Sequence, residues 1–380
     1  MKELFFIDPG IVFLNHGSFG ATPRPVFETF LNWQMMMERQ PVEFLGRQIT
    51  SLLHTARERL ANYLHTQTDN LVYVTNATYG LNVIARSLHL GPADEVLTSN
   101  HEYGALDRTW KFLSESRGFK YTNCPIDPPI ISKEDFIERF WQEVTPSTKV
   151  IFLSHITSPT AVIFPVAEIC KRAREQGIIT VIDGAHVPGQ IDLDLEAIGA
   201  DFYSGNLHKW LCAPKGAAFL YARPEVQNLI EPLVVSWGWR SETPGPSKFV
   251  DEQEWTGTRD FSAFLSVPAA IEFQNSRNWN HIRQECHLLT QKAQQEICSL
   301  TGLPPFHPDA IDWYCQMGAA PLPAHWQVPV IKTRLYDEFR IEVPIIDWQG
   351  YKLIRFSFQA YNDQNDLDKL LDAIKFFLNH

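Results

Sequence analysis

Two short stretches of the chain bring together residue types that could do chemistry. Asp183-Gly-Ala-His186 follows the apolar, β-branched run from Gly177 to Ile182, so the aspartate falls at the carboxyl end of a buried strand. Ser204-Gly-Asn-Leu-His-Lys209-Trp210 follows a second strand-like run, Asp201 to Ser204, and sets a lysine between an imidazole and an indole. Open α/β sheets bind their ligands at the carboxyl ends of strands. Taken alone, the aspartate reads as a cap and the lysine as a surface charge; their order at two strand ends asks for a joint reading. A lysine amine so placed can form a Schiff base with an aldehyde. A carboxylate can keep a ring nitrogen protonated, so that the ring accepts electrons from a carbanion.

Those are the two demands that pyridoxal 5'-phosphate makes of a protein, with Lys209 and Asp183 in the two roles. The pair resembles the class V pyridoxal-phosphate-dependent aminotransferase family, within fold type I, and its isopenicillin N epimerase-like branch. The likeness extends through Leu14-Asn-His-Gly-Ser-Phe-Gly20, Thr75-Asn-Ala-Thr78, His101-Glu-Tyr-Gly-Ala105, Val235-Ser-Trp-Gly-Trp239, Trp255-Thr-Gly-Thr258 and Arg355-Phe-Ser-Phe-Gln-Ala-Tyr-Asn362. It implies an α/β fold: a large domain, residues 20–255, with a mostly parallel seven-stranded sheet sandwiched by helices. Residues 1–19 and 256–380 would form an N-terminal segment and a smaller α+β domain.

The resemblance also implies site residues. The cofactor phosphate would be held by the backbone of Ala77 and Thr78 and the Thr78 hydroxyl, with Asn206 and His208 reaching it. By chemistry alone, a small polar turn entering a helix is an anion site, because the first-turn N–H groups are unpaired. Tyr103 would stack on the ring, with His101 as competitor, and His186 would lie near the phenolic oxygen. Ser158 matches a polar position near that oxygen or the substrate carboxylate. Asn15 or His16 would touch substrate, and Thr258 would reach the other subunit's phosphate. Arg355, between apolar Ile354 and Phe356, needs an anion, and a substrate α-carboxylate supplies one.

The implied reaction begins when an α-amino acid displaces Lys209, which then acts as base on Cα–H. Reprotonation on the other face gives an epimerase, with Tyr103 the candidate donor; loss of a β-substituent gives a C–S lyase, and proton return to the cofactor a transaminase. A persulfide-forming desulfurase is disfavoured, since no cysteine lies between Ile341 and Ile354. A non-catalytic pyridoxal-phosphate-binding protein would be expected to have lost Lys209 or Arg355, and both are present.

The elements that position these residues read as follows. Helices are expected over Pro25–Met37, Gln48–Leu64, Tyr79–Leu88 and Val166–Gln176, and a long one from Ser262. Strands are expected over Leu71–Val74, Glu95–Ser99, Lys149–Ser154 and Lys215–Tyr221, then, in an antiparallel set, over Pro329–Leu335, Phe339–Val343 and Leu353–Ser357. The chain's 380 residues, 44% hydrophobic, suffice for a sizeable core. A net charge of -11 argues against a nucleic-acid surface. The apolar N-terminal run is too short for a signal segment, and no stretch suits a membrane span. Six cysteines without a C-x-x-C pair or zinc spacing read as reduced thiols, so a soluble cytoplasmic protein without a metal is expected. The 11 tryptophans and 25 phenylalanines favour an interface, in keeping with the homodimer with shared active sites that the resemblance implies.

Overall fold

The computed structural model describes residues 1–380. Its centre is a seven-stranded sheet. In spatial order its strands are Leu71–Val74, Ala218–Ala222, Phe202–Asn206, Ile179–Asp183, Thr148–Ser154, Glu95–Ser99 and Lys120–Cys124. Ala218–Ala222 runs antiparallel to both its neighbours, while the remaining pairs are parallel. The inner strands are buried on both faces, which their near-continuous apolar sequences require. One face packs Val72, Val74 and Phe152 against Leu81 and Ile84 of helix Ala77–Ser87 and Trp110 of helix Gly104–Arg117. The other packs Tyr73, Ile151 and Ile182 with Leu53 and Leu60 of helix Ile49–Tyr63 and Ile169 of helix Val166–Glu175. No helix is long and apolar enough to cross a membrane.

Register matters more to function than the strand count. Ser154 pairs with Asp183 and Asp183 with Ser204, so three polar side chains come level where the apolar strands end. The helix Ala77–Ser87 starts beside that edge, its N-terminus capped by Asn76, whose side chain accepts from the Tyr79 amide at 2.8 Å.

A second sheet of three antiparallel strands, in the order Ile345–Trp348, Tyr351–Ser357, Met317–Leu322, packs against helices Trp279–Thr301 and Gln364–Asn379. Its core includes Ala293, Ile297, Ile354, Phe356, Leu370 and Ile374. Here the structure corrects three expectations. Pro329–Leu335 is not a strand: it lies in helix Val328–Asp337, where a proline in the first turn loses no intrahelical bond and Ile331 and Leu335 point into the core. The expected strand Phe339–Val343 shrinks to Ile341–Glu342, which pairs in parallel with Val12–Phe13 outside the antiparallel set. The long helix from Ser262 is three helices, Ser262–Leu265, Val267–Asn275 and Trp279–Thr301; Pro268 opens the second, and Asn278, with φ of 46°, precedes the third.

Candidate active site

At the polar edge of the large sheet lies a cavity of about 150 Å³. Its wall includes Ala77, Thr78, Tyr103, Ser158, Asp183, His186, Asn206, His208 and Lys209, nine residues singled out from the sequence. A larger cleft of about 800 Å³ runs under the loop through Trp239 and contains neither Lys209 nor Asp183.

Lys209 is half-buried, and desolvation of its amine, reinforced by the positive charge of Arg355, holds it below the usual lysine range. The Trp210 indole N–H lies 3.4 Å from His186 Nδ1, and an indole can only donate. The imidazole proton therefore sits on Nε2, 3.2 Å from Lys209 Nζ, and donates to it. Such a bond needs an uncharged amine, in agreement with the effect of burial. Burial also keeps His186 itself neutral, pushing it well below the usual histidine range. Asp183 is displaced the other way, upward, by burial; the Ala185 amide at 2.9 Å and the charge of Lys209 pull against that. Its second carboxylate oxygen has no donor within the chain.

The turn at the start of helix Ala77–Ser87 departs from expectation in one respect. The Ala77 amide donates to Asn206 Oδ1 at 2.9 Å and so is not a free phosphate donor. Asn206 ties the turn to the strand Phe202–Asn206, while the Thr78 amide has no partner within the chain. His208 Nδ1 donates to the Ala217 carbonyl at 3.1 Å, leaving Nε2 uncommitted, and burial lowers this histidine to about 4.

Of the two aromatic candidates, Tyr103 is on the wall and 44% exposed. His101 is buried, with Nδ1 2.7 Å from Thr160 Oγ1 and Nε2 2.7 Å from the Ile126 carbonyl. Both its nitrogens serve the loop and neither faces the cavity. Thr258 is exposed at the surface and belongs to no wall of this cavity within the chain.

Asn15 and His16, one of which was expected to touch substrate, are not on the cavity wall. Asn15 Nδ2 donates to Glu342 Oε1 at 2.9 Å, and its carbonyl accepts from Ser18 Oγ at 2.5 Å. His16 is fully buried between the Tyr361 hydroxyl and the Lys209 carbonyl. The segment meets the cavity two residues later, through Ser18 and Phe19. Arg355 stands just behind the wall, its guanidinium bonded to Ser18 and Ser158 and to no carboxylate. A guanidinium has five N–H groups, and three of these are so engaged.

The sequence reading passed over several residues. Ser154 ends the strand beside that of Asp183 and Ile156 follows two residues later, so both reach the wall at a position the strand-end rule could have supplied. Glu102 lay inside a motif already noted. It is buried, accepts from Ser99 Oγ at 2.6 Å, and accepts from the Ser154 amide and hydroxyl at 2.8 and 2.6 Å.

An amine that desolvation lowers toward neutrality, a buried carboxylate with a free oxygen, and an unpartnered helix N-terminal amide fit the aldehyde, ring nitrogen and phosphate of pyridoxal phosphate. The fold matches that of the cysteine desulfurase of Thermococcus onnurineus NA1 with a TM-score of 0.82 at 20% identity, over 97% of this chain and 95% of that one. The family model for aminotransferase class-V matches residues 22–312. The chain is 34% identical to an isopenicillin N epimerase of Amycolatopsis lactamdurans, over 98% of this chain and 97% of the relative. It is 30% identical to a probable chloroplastic L-cysteine desulfhydrase of Arabidopsis thaliana, over 98% and 84%. The chain belongs to the class-V aminotransferase family and is a pyridoxal-phosphate-dependent enzyme.

Proposed function

We propose that the enzyme acts at the α-carbon of an amino acid and inverts it, in the manner of the isopenicillin N epimerases it resembles. The observation that carries the amino-acid reading is Arg355, a buried guanidinium with hydroxyl and carbonyl partners but no carboxylate. Its two unengaged N–H groups suit a substrate α-carboxylate, an anion that would offset its burial. The bound cofactor supplies an aldehyde for the amino group and a ring that draws electrons from Cα. Lys209, lowered to about 7 by burial, has an uncharged fraction near neutral pH that can take the Cα proton at Nζ. Asp183 would offer its free oxygen to a ring N–H, and the Thr78 amide and hydroxyl would hold the phosphate end, beside a His208 Nε2 that accepts only from a protonated phosphate oxygen. Tyr103 carries a hydroxyl proton on the wall and is the donor in our reading of inversion.

A C–S lyase is the second reading, favoured by the likeness to the L-cysteine desulfhydrase. We also read the enzyme as a cytoplasmic homodimer. The free thiols of all six cysteines agree with a reducing compartment. The loop bearing Trp237, 85% exposed, and the exposed Thr258 supply an apolar patch and a hydroxyl that a second copy could cover and use. Residues 20–255 form the cofactor-binding unit in this reading, and 1–19 with 256–380 the unit that brings Arg355.

Two measurements test the proposal. Borohydride reduction followed by peptide mapping should place a pyridoxyl group on Lys209. Incubation with L- and D-amino acids and cysteine derivatives in deuterated water should give Cα exchange with loss of chirality. Pyruvate or sulfide release instead would establish the lyase reading, and a ketoacid would point to transamination.

A further inference from the structure

We propose that His16 is a positioning residue for Lys209: its Nε2–H donates to the Lys209 carbonyl, and the Tyr361 hydroxyl fixes the tautomer that allows it. The inference rests on the reading of Lys209 given above. His16 is fully buried, 3.0 Å from the carbonyl through Nε2 and 2.9 Å from Tyr361 Oη through Nδ1. A carbonyl only accepts, so Nε2 must carry the proton; Nδ1 must then accept, and Tyr361 donate. Gln359 Nε2 lies 3.3 Å from the same Nε2, but it is a donor and finds its acceptor in Cys212 Sγ at 3.9 Å. The Ala360 amide, donating to Gln359 Oε1 at 2.8 Å, fixes that amide's orientation. Burial lowers His16 to about 3, so the ring stays neutral and holds a single proton.

The Lys209 carbonyl also accepts from the Cys212 amide at 3.0 Å, and Cys212 itself has φ of 64°, a left-handed conformation that non-glycine residues avoid. Two donors from distant parts of the chain thus converge on the one peptide that carries the amine. The Gly17 amide adds a bond to Ser357 Oγ at 3.2 Å, tying the same segment to the strand of Arg355. With its backbone so held, Lys209 moves only through its side chain. This accounts for His16 and Tyr361, which do not themselves line the cavity.

The test is a titration of the bound cofactor's absorbance against pH in the holoenzyme, with melting temperatures in parallel. His16→Leu should shift the spectral midpoint by about half a pH unit or more, Tyr361→Phe should shift it the same way by less, and His16→Gln should restore it. A glutamine amide can replace Nε2–H as donor to the carbonyl, so rescue separates positioning from packing. A midpoint unmoved in His16→Leu, whatever its melting temperature, overturns the proposal. If that variant does not fold, Tyr361→Phe, which loses one hydroxyl, decides by the same criterion. Failure of the Lys209 reading is distinct, because the wild-type protein would then yield no pyridoxyl peptide.

Discussion

Arg355 Nη1 donates to both the carbonyl oxygen and the hydroxyl of Ser158, at 2.6 and 3.1 Å. The bond pair joins the central strand of the small sheet to the loop that leaves the strand Thr148–Ser154 of the large one. Through Nη2 the same guanidinium reaches Ser18 Oγ at 3.1 Å. One buried cation therefore holds two wall residues, one near the N-terminus and one in the middle of the chain, with its charge uncompensated.

Lysine at this position keeps the charge but not the planar fork, and cannot hold both serines. Arg355→Lys should lower kcat/KM about 10- to 100-fold, mostly by raising KM, since hydrogen bonds to charged groups are worth about 1.5–3 kcal/mol each. Initial rates over a substrate series check this, while borohydride mapping should still find the Lys209 adduct. An unchanged KM would remove Arg355 from carboxylate binding.

Arg355 also helps keep the Lys209 amine uncharged. Arg355→Leu removes that repulsion, so the amine should titrate at higher pH, nearer the ordinary lysine value. The rate at which the apo-protein captures pyridoxal phosphate follows the neutral amine, and its pH midpoint should move upward. A midpoint that stays put or falls would show that desolvation alone sets the amine.

Glu102 provides a pH test on stability. Burial raises its carboxyl from 4.5 to about 7, against the pull of its serine donors. The folded protein thus holds a proton that the unfolded chain releases, and stability falls as pH rises through this window. The contribution is complete below about 4.5 and is lost above about 7. Glu102→Gln carries no charge, so relative to wild type it should gain on the order of 2–3 kcal/mol across that range. Urea melts of the two apo-proteins at several pH values measure it; parallel curves would mean that Glu102 ionises at its ordinary value.

Asp183 and Lys209 could be read from the sequence because both follow apolar runs that end abruptly, which is where sheets present ligands. Arg355 was legible for a different reason: an arginine between Ile354 and Phe356 demands a buried partner. The partners of His16 could not be read, because an Asn-His-Gly triplet says nothing about which way a ring turns, and they lie 193 and 345 residues away. Tertiary context also overrode local preference. The β-branched run around Pro329 became a helix, while Gly318, Ala319, Ala320 and Pro321, poor strand formers, make an edge strand where a proline is tolerated. Glu102 was passed over because a glutamate beside an aromatic candidate reads as its solvated neighbour until Ser99 and Ser154 are seen to enclose it.

Tyr103→Phe separates ring from hydroxyl. Phenylalanine keeps an aromatic face, so cofactor retention should be unchanged. Lys209 remains to exchange the Cα proton with solvent deuterium. Inversion should fall about 100-fold or more, the scale of a lost general acid, while deuterium exchange stays within a few-fold. Chiral analysis of the product checks it. Inversion at the parental rate would take Tyr103 out of the role.

Gly20 shows how closely the N-terminal segment abuts the lysine loop. Its φ is 71°, and a Cβ there would fall 1.9 Å from the His208 carbonyl oxygen and 2.9 Å from Lys209 Cα. Alanine would be strained by its conformation and would also force apart the two backbones on which the cavity depends. Gly20→Ala should lose about 3 kcal/mol or more of stability, from the left-handed strain and the overpacking together. Because the displaced atoms belong to His208 and Lys209, cofactor release should quicken as well, which dilution followed by absorbance would record. Gly91→Ala is the control, since nothing lies within 4 Å of its added carbon and its φ is not positive. If both variants melt alike and hold the cofactor equally, the segment is not packed against the lysine loop.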